Sequence, residues 1–129
     1  MGNVMSTSRT NRKNKVIKRT IKFLSVAPDS KVVRSVLLHA PDGVVRAISN
    51  AVLNAREGDV RIPPHLKRVF AKYHGQIDRL IDRRRPLTDK RRILVQRGGV
   101  LPIIAPLIAT VLGSIGGEFI SRIFRRNDE

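Results

Sequence analysis

Apolar residues recur along most of this chain with the period of a helix. From Pro64 to Asp82, Leu66, Val69, Phe70, Tyr73, Ile77, Leu80 and Ile81 fall at spacings of three and four, the stripe of one helix of about five turns. Pro64 suits its first turn, and Gly75 within it costs about 1 kcal/mol relative to alanine without breaking the pattern. Upstream the chain nearly repeats itself. Ala27-Pro28-Asp29, Val32-Val33-Arg34 and Val36-Leu37-Leu38 are echoed by Ala40-Pro41-Asp42, Val44-Val45-Arg46 and Val52-Leu53. Each copy reads as a capped helix start, with Asp29 or Ser30 and then Asp42 accepting from the orphan amides of the following turn. In the second copy Val44, Val45, Ile48, Val52 and Leu53 share one face, with Arg46, Ser49, Asn50 and Asn54 on the other. Two short antiparallel helices of a bundle explain this pattern as well as a helix-turn-helix does, and are the commoner arrangement. Arg56 to Ile62 is a loop, bracketed by Gly58, Pro63 and Pro64. Beyond Pro86, Thr88 caps a short helix through Lys90-Arg91-Arg92 to Gln96, with Gly98 as its stop.

The pattern changes at Gly98. For twenty residues, to Gly117, there is no charged side chain, and as a helix this run would reach about 30 Å, the thickness of a bilayer's hydrocarbon core. Leu101, Ile103, Ile104, Leu107, Ile108, Val111, Leu112, Ile115 and, just beyond, Phe119 supply apolar surface that must be hidden in lipid or in protein. Pro102, Pro106 and five glycines make it a poorer helix than an ordinary spanning segment. Gly113 and Gly117 form a small-xxx-small pair through which two copies could associate. The tail also suits a third use: completing a core with Val44 to Leu53 and Leu66 to Ile81.

The pattern therefore predicts an all-α protein, a small helical bundle with a disordered basic N-terminal arm and a hydrophobic, Gly/Pro-containing C-terminal helical segment. Residues 1–26 form the flexible arm, 27–97 the basic helical domain and 98–129 the apolar segment with its basic end. In 129 residues with 4% aromatics, the core must be built from Val, Ile and Leu.

Charge sharpens the picture. Twenty-six Lys and Arg against ten Asp and Glu give a formal charge of +16, and self-repulsion on that scale calls for a polyanionic partner. From Arg79 to Arg97 there are eight basic residues, seven of them arginine, against Asp82 and Asp89. Guanidinium favours bidentate phosphate pairing, and the lack of interleaved aromatics points to contacts indifferent to base sequence. The candidate phosphate-binding residues are Lys67, Arg68, Lys72, Arg79, Arg83, Arg84, Arg85, Lys90, Arg91, Arg92 and Arg97. At the start, MGNVMS fits the pattern for N-myristoylation at Gly2. The acid-free run Arg9, Arg12, Lys13, Lys15, Lys18, Arg19 and Lys22 is the kind of second signal a single acyl chain needs at an anionic membrane. It serves equally as a nucleic-acid-binding arm.

Catalysis finds little support. His39, His65 and His74 are not at metal-ligand spacing with one another, and no Gly-rich phosphate loop is followed by Lys-Ser or Lys-Thr. Cysteine is absent, which removes disulfides, thiolate nucleophiles and Cys-based metal sites. No enzyme, cofactor or metal is expected.

Pro86 to Gly117, PLTDKRRILVQRGGVLPIIAPLIATVLGSIGG, resembles the C-terminal part of the precursor of adenovirus core protein X, also called mu, and of its relatives in adintoviruses and polinton-type elements. The shared features are a basic run, a hydrophobic pair, a basic-Gly-Gly and an apolar segment with prolines and glycines. Asn54 to Asp82 is similar to the helical region that precedes it in the family. The resemblance implies a small virion protein that accompanies double-stranded DNA of the viral genome, in the particle and in the host nucleus during assembly, beside other virion proteins. Arg91, Arg92 and Arg97 would be among the phosphate-neutralising residues. It also implies processing after a Gly-Gly, at Gly99 or Gly117, by a protease that requires Met, Ile or Leu two residues ahead of the pair. Gln96 and Ser114 stand there instead. The family's short arginine-rich core peptide is missing and the Gly2 motif is not part of its pattern, which brings in a second expectation: a membrane-active minor capsid protein that inserts Gly98 to Phe124 into a bilayer.

Overall fold

The computed structural model describes residues 2–27, 29–58, 61–96 and 99–115, with side chains between residues 12 and 110. These residues form seven helices, with no strand among them: α1 Gly2–Ser25, α2 Ser30–His39, α3 Asp42–Arg56, α4 Pro64–Lys72, α5 His74–Ile81, α6 Leu87–Val95 and α7 Leu101–Ile115. The all-α expectation holds.

The apolar tail is sided. Leu101, Ile103, Ile104, Leu107 and Ile108 are buried, while Pro102, Pro106 and Ala109 are exposed, so two opposite arcs of α7 carry different residue types. Pro102 lies in the first turn, where its missing N–H breaks no helical bond. Pro106 stands inside the helix on the outer arc, where water can satisfy the carbonyl it leaves unpaired. Thr110 Oγ1 donates to the Pro106 carbonyl at 2.8 Å. The buried arc packs on α1, α2, α3 and α4. Of the three uses open to the tail, completing a protein core is the one this part of it takes. No described helix is long and apolar enough to cross a membrane. Val111, Leu112 and Ile115 belong to α7, but their side chains fall outside the description, as do Phe119 and Gly117 altogether.

Around α7, α3 is the most enclosed helix. Val44, Val45, Ala47, Ile48, Ala51, Val52 and Ala55 are buried, because α1, α5, α6 and α7 all pack on it. Two residues expected on a polar outer face are therefore inside. Ser49 Oγ satisfies itself on the Val45 carbonyl at 3.0 Å, and Asn54 Nδ2 is enclosed with no partner. The antiparallel pairing of α2 with α3 is not the main contact of either, since α2 packs on α6 and α7.

Helix starts follow the sequence in one place and depart from it in two. Asp29 caps α2, its Oδ1 accepting from Val32 N at 3.0 Å. Asp42 and Thr88 lie one and two residues inside their helices, which begin after Pro41 and Pro86 without a side-chain cap. Proline already sets an extended approach and leaves the first carbonyl free to accept: Val44 N reaches Pro41 O at 2.9 Å and Asp89 N reaches Pro86 O at 3.1 Å. Gly58, at φ 86°, ends α3 in the left-handed conformation. The stripe from Pro64 to Asp82 is interrupted once, at Tyr73, where φ −106° and ψ 25° divide α4 from α5. The helical bond from Ile77 N to Tyr73 O at 3.0 Å resumes at once.

Helix α1 runs to Ser25, and Ile17, Ile21 and Leu24, at spacings of four and three, are buried against α7 and α3. Gly43, in the first turn of α3, permits this approach: a Cβ there would meet the Ile17 side chain.

Candidate nucleic-acid interface

Because α1 directs Ile17, Ile21 and Leu24 inward, helical geometry sends Arg12, Lys15, Lys18, Arg19 and Lys22 outward on the opposite arc. All five are exposed, and none is in an ion pair among the described residues. At 1.5 Å per residue they cover about 15 Å of helix. No acid occurs anywhere in α1 to neutralise them. Val16 and Phe23, 48% and 46% exposed, sit at the margin between this stripe and the core-facing side. The sequence showed the charge of this segment but not that a folded helix would align it, because the burial of Ile17, Ile21 and Leu24 depends on partners 20 to 90 residues away.

A second exposed set lies on α4 and α5. Lys67, Arg68, Lys72 and Arg79 all reach solvent. The Lys72 ammonium lies 5.4 Å from the centroid of the Tyr73 ring, and Arg79 Nε donates to the Gly75 carbonyl at 3.3 Å. Arg56 is ion-paired with Asp78 across α3 and α5. Between the end of α3 and the start of α4 a cleft of about 420 Å³ is lined by Arg56, Arg61, Lys67, Ile62 and Phe70.

The basic run from Arg83 to Arg92 is divided by the fold. Arg83 and Arg92 are exposed. Arg84, whose side chain is 92% exposed, bends its backbone N–H onto Asp82 Oδ1 at 3.0 Å, with Nε at 3.5 Å. That backbone hydrogen bond, with the charges of Arg84 and Arg85, holds the Asp82 carboxyl below the usual aspartate value against a smaller desolvation effect. Arg85 is half-buried and its Nε is enclosed without an acceptor.

Two of the expected phosphate ligands are drawn in from the surface, Lys90 buried and Arg91 half-buried. Lys90 is 8% exposed, and burial, helped by the charges of Arg46 and Arg83 and opposed by that of Asp82, pushes its pKa down. Arg91 donates from Nη1 to the Leu37 carbonyl at 2.5 Å and from Nη2 to Asp42 Oδ1 at 2.9 Å, tying α6 to α2 and to the start of α3. The cause in both cases is that α6 is wedged between α2, α3 and α5, so a nine-residue helix has little free face. Arg97 lies outside the described residues.

The remaining candidates are placed as follows. Gly2 opens α1. Gly99 is buried, and a Cβ there would meet the Gln76 side chain. His39, His65 and His74 are exposed on different helices, and no cluster of metal-ligating side chains exists among the described residues. Chemically, then, the surface offers fixed positive charge on helical scaffolds. Comparison with protein-family models, with curated proteins and with solved structures finds no match to this chain.

Proposed function

We propose that this chain is a structural protein of a virion core that binds and neutralises double-stranded genomic DNA without regard to sequence, while α7 packs the bundle from within. The observation that carries this reading is the row of five exposed cations on α1, in no ion pair among the described residues, joined by Lys67, Arg68, Lys72 and Arg79 on α4 and α5. Duplex DNA presents one negative charge per about 1.7 Å of axis, so a row of about 15 Å can meet several phosphates at once. Phosphate contacts of this kind position a protein and carry no base information. The test is fluorescence anisotropy with short duplexes of unrelated sequence. If six to ten phosphates are engaged, affinity falls by about 10³ to 10⁵ between 50 and 200 mM salt, and glutamine at Lys15, Lys18, Arg19 and Lys22 reduces the logarithmic salt slope by about 0.9 for each phosphate no longer neutralised. A flat salt response, or strong preference for one sequence, refutes the reading.

One observation favours a membrane-active minor capsid protein as a second reading. Val16 and Phe23 are exposed beside the α1 cations, an arrangement suited to an anionic lipid surface, and an acyl group at Gly2 would extend from the same helix. Insertion of Gly98 to Phe124 would require α7 to leave the core. Dye release from anionic liposomes by the folded chain, abolished by Ile104→Asp in a variant that still folds, would support insertion; binding without leakage would limit the contact to α1.

A further inference from the structure

The cleft of about 420 Å³ between the end of α3 and the start of α4 draws its walls from three pieces of chain. Arg56 stands on the last turn of α3, Arg61 in the connecting loop and Lys67 in the first turn of α4. Ala55 and Ile62, 5% and 7% exposed, form its apolar side together with the half-buried Phe70. Lys67 and Phe70, three residues apart, share one face of α4, so an ammonium and an aromatic ring are set side by side. Among the described residues no acid lines the cleft. Arg61 and Lys67 are in no ion pair among those residues, and the pair that Arg56 makes with Asp78 is exposed at both ends.

Folding stability does not account for this grouping. Three like charges around one hollow repel one another, and a lysine in the first turn of α4 opposes the helix dipole where an acid would be favoured. A bound anion turns these repulsions into attractions. Inorganic phosphate would answer the cations but leave the apolar side wet, whereas a flat apolar body carrying a phosphate answers both. The volume lies within the range of small-molecule sites, about 300 to 1,000 Å³. A nucleotide has this chemistry, since every base has a face that stacks on an aromatic ring while its phosphate seeks arginine or lysine. The basic run from Arg79 to Arg97 contains no aromatic residue; the fold supplies one here, among other cations.

We propose that this cleft binds one unpaired nucleotide, its base against Phe70 and Ile62 and its phosphate among Arg56, Arg61 and Lys67. The site goes beyond the neutralisation of duplex DNA, because a paired base is stacked within the helix and cannot enter. Exposed ion pairs contribute little to stability, so the phosphate competes with Asp78 for the Arg56 guanidinium. The nucleotide is either free or part of a single strand.

The test titrates the full chain with deoxyadenosine monophosphate by calorimetry at constant ionic strength. Binding saturates at one equivalent and is tighter than that of inorganic phosphate. Phe70→Leu keeps an apolar side chain but removes the aromatic face, and weakens binding by about 5- to 150-fold, the loss of one base-stacking contact. Arg61→Gln also weakens it, whereas Lys31→Gln, which removes one charge from an exposed position on α2, does not. Should Phe70→Leu fail to fold, the comparison of Arg61→Gln, at an exposed loop position, with Lys31→Gln decides alone. Nucleotide binding no tighter than that of inorganic phosphate, or equal losses in Arg61→Gln and Lys31→Gln, overturns the site. Parallel titrations with a short oligodeoxyadenylate and a blunt-ended duplex identify the source. A loss in Phe70→Leu for the single strand and not for the duplex assigns the nucleotide to a strand, and a loss confined to the monophosphate assigns it to a free nucleotide. Equal losses for single strand and duplex mean that Phe70 acts through the fold, and overturn the proposal. The salt slope of duplex binding is expected to survive Phe70→Leu, so failure of the cleft and failure of the duplex reading are told apart.

Discussion

Ending the chain after Gly99 removes Val100, Leu101, Ile103, Ile104, Leu107 and Ile108, none of them more than 8% exposed. Burying a side chain of this kind stabilises by about 1.5 to 3 kcal/mol, so the six together account for about 9 to 18 kcal/mol. That figure is an upper estimate, since an unfolded chain already hides part of its apolar surface. The whole stability of a domain this size is about 5 to 15 kcal/mol. The truncation also uncovers the faces of α1, α2, α3 and α4 that α7 covers, and the shortened chain is expected not to fold. Far-UV circular dichroism with a thermal ramp, paired with urea titration, reads this directly: the cooperative transition disappears and the urea slope collapses. The milder Ile104→Ala costs about 2 to 5 kcal/mol and lowers Tm by on the order of 10 °C. A truncated chain that melts cooperatively within a few degrees of the full one would refute the placement of α7 in the core and return the apolar tail to lipid or to another protein.

Three smaller perturbations test the fold around the site. Asp29→Ala removes the cap of α2 and is expected to cost about 1 kcal/mol in urea unfolding, most of which Asp29→Ser recovers. Arg91→Met strands the Leu37 carbonyl and loosens α6 from α2, at about 1 to 3 kcal/mol by the same assay; an unchanged midpoint would mean that the Leu37 contact contributes nothing. Lys90 has a lowered pKa in the folded chain, so the folded state binds fewer protons than the unfolded one between that lowered value and the ordinary 10.5. Stability gains from this group as pH rises through that window. In phosphate-free buffer Lys90→Met is therefore the more stable protein at neutral pH, and its advantage shrinks toward pH 10.5; an advantage that grows with pH would contradict the burial.

Helical content and most core residues were legible because burial imposes spacing: Leu66, Ile77 and Leu80 fall inside as their periodicity requires, and Asp29 caps as its position after Pro28 suggests. What escaped the sequence was decided by neighbours. Ser49 and Asn54 look like a solvent face until four helices surround α3. Lys90 and Arg91 are indistinguishable from Arg92 in a basic run, yet only Arg92 points away from α2, α3 and α5. The stripe on α1 was hidden for the opposite reason: Ile17, Ile21 and Leu24 among seven cations read as part of a solvated tail unless a distant apolar surface is there to receive them. Charge counts locate where cations are dense, whereas tertiary packing decides which of them remain free.

The contact of α1 with α7 joins the first described helix to the last. Eighty-seven positions separate Ile17 from Ile104, so this contact closes a long loop, whose entropic cost grows only slowly with length. During synthesis the cationic helix emerges long before its apolar partner. In that interval Ile17, Ile21 and Leu24 are uncovered beside a row of lysines and arginines. Once α7 is in place it covers Ile17, Ile21 and Leu24 while the cations stay exposed, so the outward character of α1 is set by a partner made much later in the chain.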